Sequence, residues 1–549
     1  MSRISGIVSG RRTAALIAAA LLFAVEVLVF VTSSFFDHII DHDEAYQALN
    51  CRFYGDSPMA MLTFAIGHGW TSVFGDTLLS LRLLARLCYL VTVALPLWYF
   101  YRKTADAAWT FLLGAFMLAL VQADHILFYG WDVGAFPFIS ALLVGLLCYL
   151  DRPTVARATV CGALCALMIL SRVTTAVAGI PALFWIIVAG ARRSPECGPW
   201  RCAGRAAVGF AVAALAGMLL LKGSVAGYMA AWNGDNIISG HGVGDIADGY
   251  LRSMKFAIRF CSSYIGYDVQ VAALCILAVA ARRYGALLCG TGTVFLSLKR
   301  ILLMHSGFMP MYFCFIVLVL YAPLRSLFDK EAVRVDRVRY WLVIVFAVLF
   351  AIGSDSFLMK LMYFYSVPVS MLLLWRWRRG FLKYMFIMFT VPTVAYFACD
   401  RIQSFGEVVH LGEKIPSHNH IYDTPDGYTW IAPVVPVVES LKSQGKSVGS
   451  YGVSRYTVSY LLEDGKPYRF QDFHTYHAGS TRRTLAEFCR RYDVLVLSEY
   501  DAGPEYGWRM PYREVDSVVR ANGFAEVARG GEFHVYEKRA DKHPVMSLD

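Results

Sequence analysis

Thirteen apolar runs dominate this chain and restrict it to one broad architecture. They lie near residues 13–33, 78–100, 108–121, 133–150, 156–171, 173–190, 205–222, 267–281, 284–298, 308–324, 339–353, 357–375 and 381–398. A helix needs roughly 20 apolar residues to cross the hydrocarbon of a bilayer, and fewer where other helices bury it. The runs at 108–121, 156–171, 284–298 and 339–353 are short and need such company. With 57% hydrophobic and only 17% charged residues, the chain is too apolar for a soluble protein, which carries about 25% charge. Disorder is excluded on the same ground. The expectation is an α-helical polytopic membrane protein of about thirteen transmembrane helices. The first run reads as a retained span, because no small-residue cleavage site precedes the acidic segment that follows it. Thirteen cysteines form no Cys-x-x-Cys pair, so neither a disulfide scaffold nor a zinc site is expected.

Sidedness follows from where Lys and Arg fall. With the N-terminus cytoplasmic, that side collects 22 basic and 6 acidic residues, against 11 and 13 on the other side up to residue 398. The formal net charge of +10 therefore orients the chain and meets anionic lipid; it is not a nucleic-acid footprint. An odd number of spans puts residues 400–549 outside. That tail holds 18 basic and 21 acidic residues and alternates helix-like and strand-like runs. PVVPVVESLKSQG reads as an amphipathic helix; KSVGSYGVS, DVLVLSEY and EFHVYEKR read as strands. The division is thus a transmembrane domain over 1–399 and an extracytoplasmic soluble α/β domain over 400–549.

The first outer loop, residues 34–77, is long for a connector and apolar for a solvated loop. Met59, Leu62, Ile66, Trp70 and Phe74 recur at helical spacing, which suits a helix lying in the membrane interface. Ahead of them Asp37, Asp41, Asp43 and Glu44 crowd together. Carboxylates this close repel, so at least one should have a raised pKa or a cationic partner. A solvated, helix-capping acidic turn is the plainer reading. Glu26, inside the first span, must face protein or water, and packing is the simplest role for it.

A long first outer loop opening on Asp43-Glu44-x-Tyr46, then interfacial helices, then Phe74-Gly75-Asp76 and Leu81-Arg82-Leu83 entering the second span, resembles the GT-C glycosyltransferases. The nearest groups are the aminoarabinose lipid A transferases and the protein O-mannosyltransferases of glycosyltransferase family 39. The resemblance implies the GT-C fold and a transferase drawing sugar from a polyprenyl-phosphate carrier, with a glycan, lipid or protein as acceptor and membrane lipids around it. It makes Asp43 the catalytic carboxylate, with Glu44 beside it. Such a group would take the acceptor's proton as the acceptor oxygen attacks the anomeric carbon. Asp132 is the preferred equivalent of the family's second carboxylate, Asp124 the next choice; the plainer reading of Asp132 is a helix N-cap.

A lipid-phosphate leaving group needs cations at the outer interface. Arg82 and Arg86 lie one turn apart at the start of the second span. Arg172 matches a basic position of the relatives, and Arg300 with His305 resembles a basic segment before a late span. Where relatives often carry Lys-Pro or His-Pro-Pro after the acidic motif, this chain has Ser57-Pro58-Met59, so Arg300, His305 or Lys360 would take over that phosphate contact. Arg252, Lys255 and Arg259 form a further stripe, suited to anionic headgroups. A metal is left open: the loop acids could hold Mg²⁺ or Ca²⁺ through oxygens. The resemblance places the protein in a bacterial inner membrane with the C-terminal domain in the periplasm. A lipid-linked-sugar transporter or flippase and a non-catalytic subunit of the same fold are the alternatives. Transporters put their sites at the midplane between repeats, whereas these acids and cations gather at one face.

Overall fold

The computed structural model describes residues 2–35, 42–56, 60–122, 128–193, 198–221, 337–351, 433–451, 455–465, 482–499 and 511–539, with a few isolated positions between. The spans read at 267–281, 284–298, 308–324, 357–375 and 381–398 lie almost wholly outside those residues. Asp124, Arg252, Arg259, Arg300, His305 and Lys360 also lie outside them.

The remaining spans all form helices: α1 (Ser2–Thr32), α4 (Leu78–Thr104), α5 (Ala107–Gln122), α6 (Trp131–Asp151), α7 (Val155–Ser171), α8 (Ala176–Ala191), α9 (Pro199–Leu220) and α10 (Arg337–Val348). Among the described residues, five helical segments are long and apolar enough to cross a membrane, while α5 and α7 are shorter apolar helices. The first outer loop forms α2 (His42–Arg52) and α3 (Met61–Phe74). Its helical period is as expected, yet α3 buries Phe64, Gly67 and Thr71. The stripe of Leu62, Ile66 and Trp70 is only half-buried, and Phe74 is exposed. Outward-facing Leu21, Val25 and Leu28 of α1, and Val212, Leu215 and Leu219 of α9, give the bundle an apolar exterior.

Three local devices hold the helices together. Gly162 on α7 and Gly209 on α9 let the backbones touch: a Cβ at either would stand about 2 Å from a carbonyl oxygen of the other helix, 1.9 Å for Gly162 and 2.1 Å for Gly209. Close approach through small residues is how apolar helices associate in lipid. Pro96, inside α4, has no N–H for the Thr92 carbonyl; Ser140 of α6 donates to that carbonyl instead, at 2.8 Å. At the far end of α4 and α6, Asp151 gathers Lys103 at 2.5 Å and Arg339 at 2.8 Å, which ties α10 to the bundle. Cys202, near the start of α9, is disulfide-bonded, a bond the cysteine spacing did not announce.

Residues 433–539 build a second unit around a four-stranded sheet. Besides a two-stranded pairing of β1 (Val409–His410) with β2 (Tyr422–Asp423), its strands are β3 (Val448–Ser450), β4 (Val494–Ser498), β5 (Phe524–Gly530) and β6 (Phe533–Lys538). The order is β3-β4-β6-β5, with β3 and β4 parallel and the other pairs antiparallel. Every residue of β4 is buried. Val494 and Val496 face the helices α11 (Val435–Ser443) and α12 (Arg455–Leu462), while Leu495 and Leu497 face α13 (Arg482–Arg491) and α14 (Tyr512–Ala521). Helices thus cover both faces, as expected for an α/β unit. Cys489 is a free thiol, pushed up to about 12 chiefly by burial.

Candidate active site

The chemistry-bearing residues gather where α2 meets the starts of α4 and α6 and the end of α7. HDEAYQALNCR makes a helix readily: acids open it and Arg52 closes it, as the backbone dipole favours, and Ala45, Ala48 and Leu49 are wholly buried. Asp43 and Glu44 stand in its first turn. The carboxylate of Asp43 lies outside the described atoms; its backbone places position 43 about 100° round the helix from Glu44. Glu44 points inward. It accepts from Arg82 Nε at 2.7 Å and Nη2 at 2.8 Å, a bidentate pair with 7% and 3% of the two side chains exposed. Among the four clustered acids, then, one does acquire a cation.

Arg86, one turn on, donates through Nε to the Phe30 carbonyl and to Ser33 Oγ, both at 3.1 Å, and stacks on the Phe30 ring. The two arginines share a helix face as their spacing required. Each is nevertheless engaged by the chain itself, Arg82 by α2 and Arg86 by the end of α1.

Asp132 and Arg172 form the second buried pair. Arg172 Nε lies 2.9 Å from Asp132 Oδ1, at an angle that makes the contact an ion pair rather than a hydrogen bond. Arg172 Nη1 also donates to the Phe350 carbonyl at 2.9 Å. The N-cap reading of Asp132 does not hold: Gly130 caps α6, and Asp132 sits inside the first turn. Gly130 has a steric reason. A Cβ there would meet the Gln47 side chain at 2.8 Å, and it is Gln47 of α2 that accepts from the Trp131 N–H at 3.3 Å. Thr63 of α3 completes the frame by donating to the Ser171 carbonyl at 3.0 Å, while Tyr129 donates to the Thr63 carbonyl at 2.7 Å.

Of the residues singled out in the sequence, Glu44, Arg82, Asp132 and Arg172 lie at one end of the bundle, with Asp43 in the same first turn of α2 as Glu44. The sequence reading missed Gln47, Arg52 and the aromatic residues of α12 that lie against α2. Only the helical spacing of Tyr456 and Tyr460 hinted at the latter. No group of three or more His, Cys, Asp and Glu suited to a metal ion occurs among the described residues; Asp37, Asp41 and the Asp43 carboxylate stand outside that search.

Residues 56–222, from the middle of the first outer loop through α9, match the family model of the dolichyl-phosphate-mannose-protein mannosyltransferases. That stretch is therefore similar to a family of membrane glycosyltransferases. The match spans less than a third of the chain and takes in Arg82, Arg86, Asp132 and Arg172. Over nearly its whole length the chain is also similar to a solved structure, that of ArnT from Cupriavidus metallidurans. With undecaprenyl phosphate bound to that protein, the similarity is 14% identity and TM-score 0.44 over 95% of this chain and 98% of the other. In its apo state the figures are 15% and 0.44 over 94% and 97%. Comparison with the curated proteins finds no match.

Proposed function

We propose that this protein is a glycosyltransferase that moves a sugar from a polyprenyl-phosphate carrier to a glycan, lipid or protein acceptor at the outer face of a bacterial inner membrane. The observation that carries the reading is the convergence of two buried carboxylate–arginine pairs, Glu44–Arg82 and Asp132–Arg172, on the end of the bundle where α2 presents Asp43. The family match at residues 56–222, whose described activity uses a dolichyl-phosphate sugar, supports the carrier class.

In this reading an acceptor oxygen attacks the anomeric carbon, the bond from that carbon to the phosphate oxygen breaks, and the phosphate leaves with the electron pair. Asp43 takes the acceptor's proton as the new bond forms. Glu44, neutralised by Arg82, fixes the turn that holds Asp43. Arg172, anchored by Asp132, is the cation assigned to the leaving phosphate, where charge-assisted donors are strongest. Arg300, His305 and Lys360 remain proposed phosphate contacts from outside the described residues. Residues 1–399 form the catalytic membrane domain, and 400–549 the periplasmic one.

The test begins with lipid extracts from cells lacking the protein. A polyprenyl-phosphate sugar should accumulate there and disappear when the protein is restored. Purified protein supplied with that lipid and with envelope membranes from the deficient cells should release polyprenyl phosphate, detected by mass spectrometry. A lipid pool unchanged by the deletion, together with no release in vitro, would exclude the transferase.

A further inference from the structure

Helix α12 belongs to the C-terminal unit by sequence and to both units by packing. Val458 and Leu462 are buried in the sheet core with Val448, Val494 and Val496. Tyr456 and Tyr460, one turn apart, are equally buried, but in the core of the helical bundle. Their neighbours are residues of α2. The rings of Tyr456 and Tyr46 lie 4.7 Å apart between centroids, and Tyr46 in turn meets Trp131 of α6 edge-on at 6.0 Å. The Arg52 guanidinium stands 4.6 Å above the Tyr460 ring, donates to the Tyr460 carbonyl at 3.4 Å, and is held by Asp76 at 2.6 Å.

We propose that α12 is a positioning element of the transfer site, with the rings of Tyr456 and Tyr460 clamping α2 so that its first turn presents Asp43 and Glu44 in register. The inference rests on the proposed transferase reading and extends it to the C-terminal domain. Glu44 is tied to α4 and Gln47 to α6, so α2 is fixed from inside the bundle. Tyr46 and Arg52 hold it against α12 as well. A helix gripped on both sides cannot rock about its own axis, and rocking would swing position 43. At Tyr460 the ring does this work: its hydroxyl is buried without a hydrogen-bond partner among the described residues. Burial and the nearby carboxylates of Asp76 and Glu44 push that phenol up, leaving it neutral.

The test uses the full-length protein in lipid nanodiscs, with the polyprenyl-phosphate sugar recovered from deficient cells as donor. The pair Tyr456→Leu and Tyr460→Leu keeps apolar bulk and removes the rings. It should lower kcat roughly 10–100-fold, the scale set by small misplacements of a catalytic group, with KM for the donor changed less than about twofold. Tyr456→Phe with Tyr460→Phe should match the unmodified protein. The second readout is Cys51 of α2, a wholly buried thiol held up by burial and then by Asp76. As the sole cysteine it should label slowly with a maleimide, faster in the Leu pair and unchanged in the Phe pair. Should the Leu pair fail to fold, Arg52→Gln keeps both rings but loosens the same contact and should show the same kcat loss and faster labelling. A Leu pair or Arg52→Gln protein with unaltered kcat, unaltered Cys51 labelling, or a Phe pair as impaired as the Leu pair would overturn the inference. Absence of turnover by the unmodified protein would defeat the transferase reading instead, and Cys51 labelling would still decide the clamp.

Discussion

Arg172 closes helix α7 and Asp132 opens helix α6, and their side chains meet 2.9 Å apart with less than a tenth of either exposed. The arginine's second arm reaches the Phe350 carbonyl, so one side chain joins three segments. Removing either partner from a buried pair strands a charge, at a cost of about 3–5 kcal/mol. Arg172→Ala should therefore lower the melting temperature of the purified protein and abolish donor turnover. Arg172→Lys keeps the charge without the fork and should recover part of both. Wild-type stability and turnover in Arg172→Ala would make the pair incidental.

Neighbouring acids on α2 give opposite expectations. Asp43→Asn preserves size but cannot accept a proton, so turnover should drop about 10²–10⁴-fold with melting unchanged. Glu44→Gln leaves Arg82 buried opposite a neutral amide, so its first effect should be on stability. Thermal melts read beside single-turnover rates separate the two roles; equal, small rate losses would return the acids to a helix-capping turn.

Sidedness is open to direct chemical test. On a cysteine-free background, Ser57→Cys and Ser443→Cys should react with a membrane-impermeant thiol reagent from the outer face, and Arg193→Cys should not. Labelling of Arg193→Cys alone would invert the topology and remove the site from the periplasm.

The C-terminal unit should show a specific acid sensitivity. Asp493 accepts from the Ser447 hydroxyl at 2.7 Å and from the Ser447 N–H at 3.0 Å, and these bonds hold its carboxyl below the ordinary range. A depressed carboxyl contributes stability that is complete above its unfolded pKa of about 3.9 and fades as pH falls through the lower folded value. Ser447→Ala should thus destabilise the protein at pH 7 and make progressively less difference towards pH 2, followed by melting of the two proteins in parallel. A pH-independent penalty would mean that the hydroxyl acts without reference to the charge of Asp493.

What could be read from the sequence tracks the range of the forces involved. The run 78–100 became Leu78–Thr104 because hydrocarbon burial is a local, additive property of consecutive side chains. The arginines at 82 and 86 were placed on one face by helical period alone. Their partners were not foreseeable, since Glu44 reaches Arg82 only once α2 has folded back across α4. Strand β5 escaped notice because a register shift between Glu526 and Ala528 breaks its alternation. Helix α12 escaped for another reason. RYTVSYLL is rich in aromatic and β-branched residues that favour strands, and it is held as a helix by two cores at once.

The bond between Arg52 and Tyr460 joins positions 408 residues apart, which gives this protein a calendar. At synthesis rates of about 5–20 residues per second, some 20–80 seconds separate the emergence of its two ends. Throughout that interval α2 has no outer wall, and Tyr46 has no ring to rest against. The proposed site is thus assembled last, by the segment made last, and a chain interrupted before residue 460 would carry Asp43 and Glu44 without the piece that seats them.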